Sequence, residues 1–158
     1  MNHVSEILLS LFILNLGTAF GAGLYETKIV LPRWFHKTTD GYRVNAAAMR
    51  DLDSGRSFWA FVTTGPLTLL TLANLVFAWQ SQQPDHSGWM AAALVALLER
   101  VGTFAFFIPT AIKLGKADQL APAQASRKVT LWLNANYIRN ALTLIASLLA
   151  LRALAIGV

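Results

Sequence analysis

Cysteine is absent from the 158-residue chain, and charge is scarce: Asp, Glu, Lys and Arg together make up 13%. Without cysteine there is no disulfide, no thiolate nucleophile, no iron–sulfur cluster and no Cys-based zinc site. A soluble domain carries roughly a quarter of its residues charged. The low charge therefore excludes a soluble enzyme and, with 55% hydrophobic residues, a disordered tail. Histidine is thin as well. His3, His36 and His86 all fall outside the middle of the apolar stretches, which argues against a bis-histidine haem. His3 and His86 share one side of the expected topology, but two scattered histidines read as surface residues, and no metal site is assigned. No Glu-x-x-His pair, phosphate loop, Gly-x-Ser-x-Gly elbow or dinucleotide fingerprint occurs.

What the chain has in quantity is apolar sequence, with a mean hydropathy of +0.48. It falls into four blocks, residues 7–31, 58–79, 89–112 and 129–156. Each is near the ~20 residues that a helix needs to cross a ~30 Å hydrocarbon core. The length suits one domain, so the expected architecture is all-α: a single integral membrane domain, residues 1–158, folded as a four-transmembrane-helix bundle. The first block lacks a positively charged start and runs past the length of a signal-peptide core, so it reads as a retained span. Trp59, Trp79, Trp89 and Trp132 lie near block ends, where an indole keeps its ring in lipid and its N–H wet.

The net charge of +5 does not point to nucleic acid. Arg33, Lys37, Arg43, Arg50 and Arg56 lie in the first connection, and Lys113, Lys116, Arg127 and Lys128 in the third. Neither stretch interleaves basic residues with aromatics as a single-strand platform does. Residues 80–88 and the N-terminus before Lys28 carry no Lys or Arg. By the positive-inside rule the two basic loops are cytoplasmic and both termini lie on the outer side. Residues 32–57 read either as a solvated connection whose arginines meet anionic lipid or as a lid over a pocket, with a short surface helix over 44–52.

Charge inside the blocks is the informative exception. A charged side chain at mid-membrane costs roughly 2.5–3.5 kcal/mol on insertion scales. Glu26, Glu99, Arg100 and Arg139 are placed there, two of each sign. At about 1.5 Å per residue, Arg139 lies roughly 15 Å above the start of its span, Glu99 roughly 18–20 Å above the same edge and Glu26 about 8 Å above it. Glu99–Arg139 is the pairing this arithmetic favours, and the direction of Arg100 is left open. Helical spacing places Trp132, Asn136, Arg139, Asn140, Thr143 and Ser147 on one face of the fourth span. Glu99, Thr103, Phe106 and Thr110 share a face of the third, and Asn15, Thr18, Ala22, Tyr25 and Glu26 one of the first. Thr64, Thr68 or Thr71, and Asn74 form a weaker stripe in the second. Stripes of this kind turn inward in a bundle. Gly17 and Gly21, followed by Gly23, form a small-xxx-small face suited to close helix packing, with Gly17 and Gly21 also able to meet a second copy.

Such a pocket suits a planar hydrophobic ligand with oxygen functions, such as a quinone-like compound. Glu26 or Glu99 is the candidate base for proton abstraction beside a carbonyl. Arg139 is the candidate group to stabilise the developing oxyanion. Tyr25, Arg100, Trp132, Asn136 and Asn140 are the candidate substrate contacts. Membrane lipid is the remaining partner. A non-catalytic binding or assembly subunit is the alternative from another class.

Three segments resemble a known family. They are Gly23-Leu24-Tyr25 with Pro32 seven residues beyond the tyrosine, Phe107-Ile108-Pro109-Thr110-Ala111-Ile112-Lys113-Leu114, and Trp132 followed by Asn136 and Arg139. They are similar in order and spacing to the bacterial and fungal four-helix membrane proteins of the anthrone-oxygenase-like family, long treated as a domain of unknown function. The chain diverges at Val30, Ala111 and Asn136, where that family often has Glu, Asn and His. The expected location is a bacterial inner membrane, where the orientation read from loop charge makes both termini periplasmic. Where activity is assigned in the family, the resemblance implies oxygenation of anthrones to anthraquinones with no cofactor.

Overall fold

The computed structural model describes residues 3–51, 58–82 and 86–157. Helix α1 (His3–Trp34) leads into a hairpin of β1 (Phe35–Thr38) and β2 (Gly41–Val44), followed by the short helix α2 (Ala46–Asp51). Helices α3 (Trp59–Gln80), α4 (His86–Leu114) and α5 (Pro122–Gly157) complete an all-α four-helix bundle. Helices α1, α3, α4 and α5 are each long and apolar enough to cross a membrane. They run past the apolar blocks because backbone hydrogen bonding continues into the polar zone after side-chain hydropathy has fallen. Proline, pre-set for the first helical position, starts α5 at Pro122, seven residues before the expected 129.

Around the bundle, α1 packs on α3 and α5, and α4 packs on the same two. Its interior is layered. At the end of the chain termini, Leu9, Phe12, Leu16, Leu67, Trp89, Ala92, Ala96, Ala146 and Ala150 form an alanine-rich apolar core. At the hairpin end, Leu31, Phe35, Phe107, Leu114, Val129 and Trp132 form a second, aromatic core. Between them lies a belt of buried polar residues that includes Glu26, Thr63, Glu99, Arg100, Thr103, Asn136 and Asn140. Large apolar side chains such as Leu14, Phe61, Leu69 and Ile138 point outward, as a lipid-facing surface requires.

Two indoles depart from the interfacial reading. Trp89 is 2% exposed and Trp132 4%. Trp132 lies well inside α5, and Trp89, in the first turn of α4, turns inward to the alanine-rich core. The Trp89 Nε1–H donates to Asn74 Oδ1 at 3.0 Å, while Asn74 Nδ2 donates to Leu70 O at 2.8 Å and Leu8 O at 3.3 Å. One amide thus ties α3 to α1 and α4. Trp89→Phe leaves the buried Asn74 oxygen without its donor and lowers stability by about 1–3 kcal/mol, measured by thermal unfolding in detergent. An unchanged midpoint would show that the bond contributes nothing.

Residues 35–44, largely exposed, are an ordered part of the connection. They form an antiparallel hairpin with Phe35 opposite Val44 and His36 opposite Arg43. Gly41 takes φ +129, which a side chain at that position would resist, and its α-carbon backs onto Ser126. The Tyr42 N–H donates to Ser126 Oγ at 3.0 Å, fastening the hairpin to the first turns of α5. The surface helix expected over 44–52 is α2, with Arg50 exposed and bonded to Gly115 O and Asp118 Oδ2, each at 3.1 Å. Arg56 and the side chain of Asp51 lie outside the described residues.

Candidate functional site

Three of the four long helices are interrupted in the same way. Leu31, Gly65 and Ile108 each donate their N–H five residues back, to Glu26 O, Ala60 O and Thr103 O, and each precedes a proline. A proline ring inside a helix clashes with the carbonyl four residues earlier and offers it no N–H. The wider π turn relieves both problems, and such turns concentrate at functional sites. The π segments are Glu26–Val30, Trp59–Thr64 and Thr103–Phe107. Pro66 leaves the Val62 carbonyl without its usual α-helical donor, and Asn15 Nδ2 of α1 supplies one at 3.0 Å.

All three π segments send a side chain to Arg139, on the one long helix with no interior proline. Its Nη2 donates to Glu26 Oε2 at 2.6 Å. Its guanidinium carbon lies 4.4 Å from the Phe107 ring centre and 5.6 Å from that of Trp59. Partly desolvated cation–π contacts of this kind contribute roughly 0.5–2 kcal/mol each. Behind Phe107, edge-on aromatic contacts continue to Trp132 at 5.2 Å and to Phe35 of the hairpin at 6.4 Å.

The expected Glu99–Arg139 pair is therefore replaced by two others. Arg139 pairs with Glu26 across the bundle, and Arg100 pairs with its neighbour Glu99 on α4. Depth reckoned from apolar block edges misplaced Glu26, because the helix ends are staggered and do not mark one common level across the bundle. The true level is visible in Thr27, whose Oγ1 accepts from Asn136 Nδ2 at 2.7 Å and Asn140 Nδ2 at 3.2 Å. Adjacent helical residues point about 100° apart, but the long arginine side chain wraps far enough for Nε and Nη2 to reach Glu99 Oε2. Thr103 Oγ1 donates to Glu99 Oε1 at 2.9 Å, so both oxygens of that carboxylate are engaged.

Of the sequence-derived candidates, Glu26, Glu99, Arg100, Arg139, Trp132, Asn136 and Asn140 come together in the belt or at its edge. Tyr25 does not: it is 61% exposed on the outer face of α1. Thr18 is also exposed, and the buried face of α1 is Leu9, Phe12, Leu16, Gly23 and Glu26. Gly17 and Gly21 face outward with nothing within 4 Å of an added Cβ, whereas one at Gly23 would overlap Asn140 Oδ1. The close helix approach is thus made at Gly23, between α1 and α5. Trp59, Phe107, Thr27 and Gly23 were not singled out as site residues. Their available signal was the proline following each wide turn and the glycine one turn before Thr27. Among the described residues no three His, Cys, Asp or Glu side chains gather as a metal site.

A recess of about 170 Å³ opens beside the belt between α4 and α5. Leu98, Glu99, Gly102, Phe106, Phe107, Ala135, Ile138, Arg139 and Leu142 line it. Its wall is apolar except for one carboxylate and one guanidinium, a combination suited to a hydrophobic ligand with a hydrogen-bond acceptor. Comparison with protein families, characterised proteins and solved structures gives no match for the chain.

Proposed function

We propose that this protein binds a hydrophobic aromatic carbonyl compound, anthrone- or quinone-like, within the membrane and acts on it as a cofactor-independent oxygenase. The observation that carries this reading is Arg139, held by Glu26 and two aromatic rings at the wall of an apolar recess. Glu99, on the same wall, takes a proton from the anthrone methylene, across the central ring from the carbonyl, and Arg139 donates to the enolate oxygen that forms. Transfer of that proton neutralises Glu99 as the enolate gains its charge, so the net charge of the belt stays constant. Molecular oxygen is the oxidant: with an anthrone, one oxygen atom ends in the new carbonyl and the other leaves as water. In this reading the protein resides in a bacterial inner membrane with periplasmic termini and a cytoplasmic hairpin, as the loop charges favour.

Purified protein in lipid nanodiscs is expected to consume anthrone and oxygen in equal amounts. Arg139→Lys keeps the charge beside Glu26 but loses the planar fork, and oxygen uptake falls by about 10²-fold. Equal, background-level uptake by wild type and variant would remove the oxygenase.

The outward Gly17/Gly21 face favours a second reading, a non-catalytic assembly subunit that packs there against another copy. Cross-linking and sizing in detergent distinguish the two, since a strict monomer rules out the second.

A further inference from the structure

The geometry points to a lipid-tailed, single-ring quinone as the occupant of the recess between α4 and α5, entering sideways from the bilayer. It rests on the recess as a ligand site and not on the oxygenation of anthrone, from which it departs by selecting the quinone as the occupant. Four observations converge. The first is size: about 170 Å³ is little more than the ~150 Å³ apolar cavity that holds one benzene ring. A single substituted ring fits inside, whereas a fused tricycle protrudes.

The second is the mouth. Leu98 and Ile138, on the recess wall, are 59% and 62% exposed on the apolar outer surface of the bundle. An aliphatic tail leaving between them meets hydrocarbon rather than water.

The third is polarity. Glu99 has both oxygens engaged by Arg100 and Thr103. Arg139 spends only Nη2 on Glu26, and its Nε and Nη1 have no acceptor among the described residues. Arg139 thus holds unspent donors at the wall, matching a carbonyl oxygen. The two ion pairs already sum to zero charge, so a neutral carbonyl is accommodated while a carboxylate would add an uncompensated anion at mid-membrane.

The fourth is Gly102. It lines the recess, and a Cβ built there meets nothing within 4 Å. Glycine within a helix is unfavourable by roughly 1 kcal/mol relative to alanine. Its missing side chain is what leaves the space open.

The test uses the full chain in lipid nanodiscs, titrated with decyl-1,4-benzoquinone, with anthrone and with decanoate, and follows saturable quenching of tryptophan emission. Gly102→Leu adds a side chain at the recess wall where a Cβ meets nothing within 4 Å, and Gly21→Leu makes the same change on an outward face with equal room at Cβ. Gly102→Leu is expected to weaken decyl-benzoquinone binding by about tenfold or more, a difference readily resolved in a titration, and Gly21→Leu to leave it unchanged. Saturable quinone binding indifferent to Gly102→Leu would overturn the recess as the site. Preferential binding of anthrone or decanoate would overturn the ligand class while leaving a membrane ligand site in place. Binding of none of the three would remove this inference and the ligand site together.

Discussion

Arg139→Ala lowers the stability of the bundle by about 3–5 kcal/mol, the range for breaking one partner out of a buried ion pair. The loss comes less from the missing 2.6 Å bond than from the group left behind. The Glu26 side chain is 5% exposed, held between an alanine-rich core on one side and an aromatic core on the other, where no water reaches a lone carboxylate easily. Phe107 and Trp59 lose the cation over their rings at the same time. The paired replacement Glu26→Leu with Arg139→Leu removes both charges and recovers most of the loss, because apolar substitutes for a buried pair are often neutral or better. Thermal unfolding in detergent across the four members of this double-mutant cycle gives the coupling directly. A double variant no more stable than Arg139→Ala would show that the pair is not the source.

The second large effect separates three glycines on one helix. Gly23→Ala places a methyl group against Asn140 Oδ1 and forces that side chain away from Thr27. Overpacking and a stranded buried amide together cost about 2–4 kcal/mol. Gly17→Ala and Gly21→Ala meet open space and gain about 0.5–1 kcal/mol from helix propensity. The same unfolding measurement on all three variants decides the matter, and a uniform response would mean that Gly23 makes no close approach.

The contrast among these glycines shows what was legible in the sequence. The four spans were readable because hydropathy over about twenty residues is a strong signal, and the inward faces of α4 and α5 followed from helical spacing. Scarcity of charge led directly to Glu26, Glu99, Arg100 and Arg139. Their pairing was not readable, since it depends on relative helix depth, which apolar block edges do not define. Facing was least reliable near π turns. On α1, Thr18 and Tyr25 of the expected stripe are exposed just before the π segment that begins at Glu26, which is itself buried. The small-xxx-small spacing drew attention to Gly17, Gly21 and the Gly23 that follows, and contact across the bundle selects Gly23 among them. The hairpin was signalled by Asp40-Gly41 between Phe35 and Val44, a turn pair between apolar positions. Its basic residues were read for membrane orientation, which concealed its role in packing.

The two ion pairs also differ in when they come into being. Glu99 and Arg100 are neighbours on one helix and enter the bilayer together as a neutral unit. Glu26 and Arg139 are 113 positions apart, and chains are made from the N-terminus onward. Glu26 is therefore synthesised with the first span and its cation only with the last. Until α5 arrives, the growing protein carries an acid with no counter-ion, at a cost of about 2.5–3.5 kcal/mol for a charge at mid-membrane. Closure of that pair marks the arrival of α5, and a product truncated before α5 exposes the unneutralised acid to any quality-control system that inspects membrane segments for charge.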